Sequence, residues 1–237
     1  MGETIRVNTL EGDQTFPAYR ADPAGEPQAA IIVIPEIFGV NPGIRAKCDN
    51  WARLGYLAVA PDIFWRFAEG DELDPDVPEQ FQQALAHLQT YSARKGSDET
   101  IRDIEATIHW LKREQGVAKV GAVGFCLGGF LAYLTAARTD IDASVGYYGV
   151  MIDQHLGEAH AIANPLLLHV PTADHFVNAE AQKAMHEGLD SHPRVTLYDY
   201  QGLDHGFATE RGNRRDEAGA RLADARTEAF FAEHLKA

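Results

Sequence analysis

The apolar residues of this chain change rhythm along its length, and the rhythm predicts its elements. Thr4–Thr9 and Thr15–Arg20 alternate apolar with polar around Glu11-Gly12-Asp13, the pattern of a hairpin. AAIIVIP (Ala29–Pro35) is a continuous β-branched run, as expected for a strand buried on both faces. Asn41 and Pro42 suit the cap and first position of a helix that would place Ile44, Cys48, Trp51, Ala52 and Gly55 on one face. A second buried strand, Leu57–Ala60, ends at Pro61-Asp62, and Ile63–Val77 reads as an excursion loop. From Pro78 onward, Phe81, Ala84, Leu85, Leu88 and Tyr91 recur at helical spacing. Ser97, with Asp98 and Glu99 behind it, predicts the capped start of another helix, whose stripe is Ile101, Ile104, Ile108 and Leu111.

The second half repeats the alternation. Lys119–Phe125, Ala143–Gly149, Pro165–Val170 and Val195–Tyr200 read as strands, and Leu127–Arg138 and Ala179–Leu189 as helices. A last helix near Asp216–Leu235 is expected to bury Leu222, Ala225, Ala229 and Phe230. Strands alternating with helices imply an α/β fold, a mostly parallel sheet covered on both faces. No repeat, low-complexity tract or linker divides the 237 residues, so one domain over 1–237 is expected.

Composition narrows the function classes. A net charge of −14 repels a phosphate backbone, which argues against nucleic-acid binding. Cys48 and Cys126 lack metal-type spacing and make a poor disulfide framework, which fits a reducing compartment. The opening MGETIRVNTLEGDQT lacks the apolar core of a signal peptide, and Ala29–Ile34 is too short to span a membrane. A cytoplasmic protein with no membrane partner is expected.

The most informative segment is Gly124-Phe125-Cys126-Leu127-Gly128-Gly129, entered by a buried strand and left by an apolar helix. This is the glycine-flanked nucleophile turn of α/β-hydrolases with Cys in place of Ser. The turn is too sharp for side chains at the flanking positions, and the helix N-terminus behind the sulfur favours thiolate. The Leu127 N–H would then face an oxyanion. The bland alternative is that Cys126 is a small packed residue, as Cys48, mid-helix beside Trp51, is read to be.

A thiol nucleophile needs a base, and ten histidines compete. In such hydrolases the order is nucleophile, acid, histidine. Asp174 follows the strand Pro165–Val170, and His205 follows Val195–Tyr200, so both fall at carboxyl edges of strands, where open α/β sheets bind ligands. Asp174 could instead only cap the helix after it. Asp204 is a weaker acid candidate, because it would have to fold back on its neighbour, and His175 could be a solvated loop residue. His155 and His160 flank Glu158, but HLGEAH matches no zinc-hydrolase signature, so no catalytic metal is expected.

PEIFG (Pro35–Gly39), GFCLGG (Gly124–Gly129) and DHGF (Asp204–Phe207), with VGYYGV (Val145–Val150) in the expected order, resemble the dienelactone hydrolase family over residues 5 to 235. The resemblance implies a cap-less α/β-hydrolase with a Cys126–His205–Asp174 triad, no metal and no organic cofactor. It implies that Glu36 accepts a hydrogen bond from the resting thiol, and that Ile37 supplies a second oxyanion N–H beside that of Leu127. The family binds its substrate carboxylate with two arginines; here Phe81 and Thr209 stand at those positions, and Leu85 and Leu88 make the neighbouring wall apolar. A small neutral ester or lactone is therefore the expected substrate, with Arg211 the nearest compensating cation in sequence. A broad carboxylesterase or thioesterase is the rival enzyme reading, and a non-catalytic thiol sensor the rival of another class. A monomer or small homo-oligomer is expected.

Overall fold

In a computed structural model, which describes residues 2–210 and 212–235, the two alternating segments pair as anticipated. β1 (Glu3–Asn8) and β2 (Thr15–Ala21) run antiparallel with Val7 opposite Phe16, both fully buried. β3 (Ala30–Ile34) is buried at every residue and is followed by α1 (Pro42–Arg53). The Asn41 side chain caps α1 by accepting from the N–H groups of Gly43 and Ile44, both at 3.1 Å. Gly55 lies beyond the end of α1, and Lys47 takes a buried place beside Ile44, Cys48 and Trp51. β4 (Leu57–Pro61) pairs antiparallel with β2 and parallel with β3.

The segment expected as a loop, 63–77, contains a short helix, α2 (Trp65–Ala68). It is pinned by polar groups that no apolar pattern announces. Asp62 accepts from the N–H of Phe64 at 2.9 Å and of Gly70 at 2.8 Å, while Arg66 and Trp65 both donate to the buried Asp103 carboxylate. α3 (Pro78–Ala93) buries Ala84 and Tyr91, whereas Phe81, Leu85 and Leu88 are half-buried. α4 (Gly96–Arg113) starts one residue before the expected cap, Ser97. The chain turns instead through Lys95 in the left-handed region (φ 57°), and a side chain at Gly96 would strike the Tyr91 ring. These elements form the first of two compact units, residues 2–120.

Residues 121–235 form the second unit around four parallel strands in the order β5-β6-β7-β8. β5 (Val120–Phe125), β6 (Ala143–Tyr147) and β7 (Leu166–Pro171) are buried throughout; β8 (Val195–Tyr200), at the end of the order, is not. α5 (Leu127–Arg138) follows β5 directly, and α6 (Ala179–Leu189) and α7 (Glu217–His234) complete the unit. Between β6 and β7 the chain winds a 3₁₀ segment, Ile152–Ala161, that no apolar pattern predicts. There Arg138 donates to both oxygens of Glu158, at 2.6 and 2.8 Å, which with His155 holds that carboxyl down at about 2. HLGEAH is thus part of a structural clamp.

The buried side of α7 is Gly219, Ala220, Ala223, Thr227 and Phe231, not the expected Leu222, Ala225, Ala229 and Phe230. Leu222 is exposed. The register follows a polar requirement. Thr227 Oγ1 lies 2.9 Å from His169 Nε2 and 2.6 Å from the Tyr147 hydroxyl, both inside β-strands, and His169 Nδ1 lies 2.7 Å from the Tyr200 hydroxyl. Burial, with Arg226 nearby, lowers the His169 pKa to about 3, so it stays neutral. Among the described residues no helix is long and apolar enough to cross a membrane.

Candidate active site

The parallel register sets Phe125 opposite Tyr147, Tyr147 opposite His169 and Pro171 opposite Tyr200, so the loops after the four strands share one edge. Cys126 stands first on that edge. Its backbone takes φ 57° and ψ −116°, a conformation side chains rarely occupy, and its N–H donates to the Tyr147 carbonyl at 3.1 Å. The strain persists because the surroundings leave no alternative: a Cβ at Gly124 would collide with the Gly128 carbonyl, and one at Gly129 would lie 2.5 Å from the Tyr147 oxygen. The Cys126 carbonyl accepts from the N–H groups of Gly129 and Phe130, which starts α5. Leu127 is the first residue of that helix, so its N–H has no acceptor within the helix and points out of its N-terminus.

Asp174 and His205 meet as a buried pair, with His205 Nδ1 2.9 Å from Asp174 Oδ2 and side-chain exposures of 2% and 1%. The other Asp174 oxygen accepts from the N–H groups of Phe176 at 2.8 Å and Val177 at 3.1 Å. Asp174 therefore does not cap the helix that follows, since Asn178 caps α6; its second oxygen instead closes the turn at Phe176 and Val177. The rings of Tyr148 and Phe176 flank His205 at 4.9 and 4.7 Å. Burial opposes a cation on His205, but the charge of Cys126 and the Asp174 hydrogen bond outweigh it and raise its pKa to about 10. His205 Nε2 is buried with no hydrogen-bond partner among the described residues; catalytic hydrogen bonds commonly tighten only with substrate.

The remaining candidates divide between the units. In the first, Glu36 is half-buried and Ile37 buried in the loop after β3. That loop is stitched to residues 71–73 by the Leu73 N–H to the Phe38 carbonyl at 2.9 Å, and Phe38 lies 5.8 Å from the Phe81 ring. Leu85, one turn after Phe81 on α3, is half-buried. In the second unit, Thr209 Oγ1 is buried with no hydrogen-bond partner among the described residues. Arg211 lies outside the described residues.

Three site features escaped the sequence reading. Tyr148 packs on His205 from a left-handed position (φ 39°), a backbone property with no side-chain signature. Phe176, 48% exposed beside His205, carries the Arg214 guanidinium 6.0 Å above its ring. Asp204 does not bond the His205 ring; it accepts from the His205 backbone N–H at 2.6 Å and pairs with the His175 ring at 2.7 Å. Donor atoms of Asp174, His175 and Asp204 lie within 4.8 Å of one another, but both Asp174 oxygens already accept hydrogen bonds.

A thiol at a helix N-terminus, a buried imidazole–carboxylate pair and a first-turn N–H without an acceptor in its own helix are parts that acyl transfer can use. Residues 16–235 match the model of the dienelactone hydrolase family. The carboxymethylenebutenolidase of Pseudomonas putida is 35% identical, covering 97% of this chain and 96% of its own. Carboxymethylenebutenolidase 1 of Cupriavidus pinatubonensis is 32% identical, covering 96% and 95%. A crystal structure of a candidate dienelactone hydrolase from Klebsiella pneumoniae superposes with a TM-score of 0.84 over 98% of both chains at 25% identity. A thermophilic esterase of Thermogutta terrifontis, at 19% identity and a TM-score of 0.66 over 98% of this chain and 94% of its own, shares the fold.

Proposed function

The chain belongs to the dienelactone hydrolase family of ester- and lactone-hydrolysing α/β-hydrolases, and from that premise we propose that Cys126 is its nucleophile, in a two-step acyl transfer across residues 1–237 acting as one domain. His205 takes the Cys126 proton, and Asp174 fixes the imidazole tautomer and stabilises the imidazolium. The thiolate attacks the carbonyl carbon, its C–O π electrons move onto oxygen, and the Leu127 amide at the start of α5 holds that oxyanion. Collapse expels the alcohol oxygen, which takes the proton from His205. Water, deprotonated by His205, then cleaves the thioester to release the acid. The observation that carries this reading is the strained Cys126 turn on the same sheet edge as the buried His205–Asp174 pair.

The substrate is a small neutral ester or lactone. Phe81 packs on Phe38, beside Ile37, with Leu85 on the same helical face. A carboxylate against such a wall would lose hydration without a charged partner, at several kcal/mol, whereas an apolar group gains about 25 cal/mol per Å² buried. The test is kcat/KM for a lactone, an aryl ester and a thioester, each with and without a carboxylate. Neutral members should lead. A preference for the carboxylate-bearing lactone would overturn the substrate reading, and activity surviving full alkylation of Cys126 would overturn the nucleophile.

A further inference from the structure

Two Asp-His dipeptides, Asp174-His175 and Asp204-His205, face each other across the loops after β7 and β8, and their side chains pair crosswise. Asp174 takes the His205 ring at 2.9 Å, in a buried pair; Asp204 takes the His175 ring at 2.7 and 3.0 Å, in a pair whose side chains are about half exposed. Asp204 Oδ1 also accepts from the backbone N–H groups of His175 at 3.0 Å and His205 at 2.6 Å. One carboxylate thus ties the loop bearing the acid to the loop bearing the base. The close grouping of the Asp174, His175 and Asp204 donor atoms means that His175 stands within reach of the catalytic carboxylate. It is a second imidazole able to compete with His205.

We propose that Asp204 is a positioning residue that holds His175 off Asp174 and so reserves that carboxylate for His205. The proposal rests on the triad reading above. An ion pair this exposed contributes little to stability, so the consequence of losing it is geometric. A misplacement of the catalytic base by about 1 Å costs up to about a hundredfold in rate.

The experiment measures kcat and KM on an aryl ester, melting temperature and the low-field ¹H resonance of the His205–Asp174 bond. The variants are Asp204→Ala, Asp204→Asn, His175→Ala, the double variant Asp204→Ala/His175→Ala, and Asp174→Asn. Asp204→Ala should lower kcat about ten- to a hundredfold with KM within about twofold, and the low-field proton should shift or vanish. Asp204→Asn, which keeps an oxygen for the two backbone N–H groups, should recover part of the loss. The double variant should exceed Asp204→Ala by about fivefold or more, because the competing imidazole is gone, whereas a merely structural role predicts no recovery. If Asp204→Ala does not fold, Asp204→Asn against Asp204→Asn/His175→Ala tests the same sign. A double variant no faster than its Asp204 parent, or an Asp204→Ala enzyme as fast as wild type while Asp174→Asn is crippled, overturns the proposal. Full activity in Asp174→Asn would instead overturn the triad reading itself.

Discussion

The two cysteines differ in environment more than any sequence distance suggests. Cys48 is fully buried in α1, where burial and then the adjacent Asp49 push its thiol well above the usual range. Cys126 is partly exposed at a helix N-terminus. Iodoacetamide should therefore modify Cys126 and abolish activity while leaving Cys48 unlabelled until denaturant is added; peptide mapping reads both. His205→Ala should cost several orders of magnitude in kcat with the fold intact, and Asp174→Asn nearly as much. The raised pKa of His205 carries a second prediction. Burial alone would lower it, and the Cys126 charge is the largest influence opposing that. In Cys126→Ala the His205 titration, followed by NMR, should move to lower pH. The stability that the wild-type pair supplies is present below the unfolded value of about 6.5 and is lost as pH rises towards 10. The wild-type melting temperature should fall over that window relative to Cys126→Ala.

At the scale of elements, the turn and the last helix make opposite demands. The β5–α5 turn tolerates no Cβ: Gly124→Ala would press against the Gly128 backbone, which cannot move without displacing the start of α5. That overpacking should cost about 1–3 kcal/mol or more and lower activity in parallel, seen as a drop in denaturation midpoint. In α7 the register is decided by Thr227 and Phe231. Phe231→Ala empties a fully buried site against Gly121 and should cost about 3–5 kcal/mol, well above the effect of Phe230→Ala at a half-buried position. Thr227→Val keeps the shape but strips His169 and Tyr147 of a buried partner, at about 1–3 kcal/mol. Denaturant unfolding ranks all three.

Across the whole molecule the fold places chemistry at strand ends. β5, β7 and β8 deliver Cys126, Asp174 and His205 from segments up to 79 residues apart, and the parallel register brings their loops to one edge. The proposed preference for neutral substrates turns on Phe81 and Thr209 standing where a carboxylate-binding residue would be charged. Phe81→Arg with Thr209→Arg should shift kcat/KM towards carboxylate-bearing substrates. Melting temperatures measured alongside separate that outcome from simple destabilisation.

The class of fold, the Cys126 turn and the order of the three candidate catalytic residues were legible in the amino-acid pattern alone. A short β-branched run bounded by turn residues favours a buried strand, and the sharp turn after β5 has no room for a Cβ at Gly124. What the tertiary structure decided were matters of pairing. Periodicity alone set the α7 face wrongly because small residues line both sides of that helix, and the decisive contact, Thr227 to His169, joins residues 58 apart. The α2 helix and the 3₁₀ segment are held by distant ion pairs, Arg66–Asp103 and Arg138–Glu158, not by an apolar stripe of their own. The two Asp-His dipeptides were plain in the sequence, but which aspartate serves which histidine depends on where the two loops meet. Local pattern records what each segment buries; which partner completes a buried polar group is fixed only when the chain is folded.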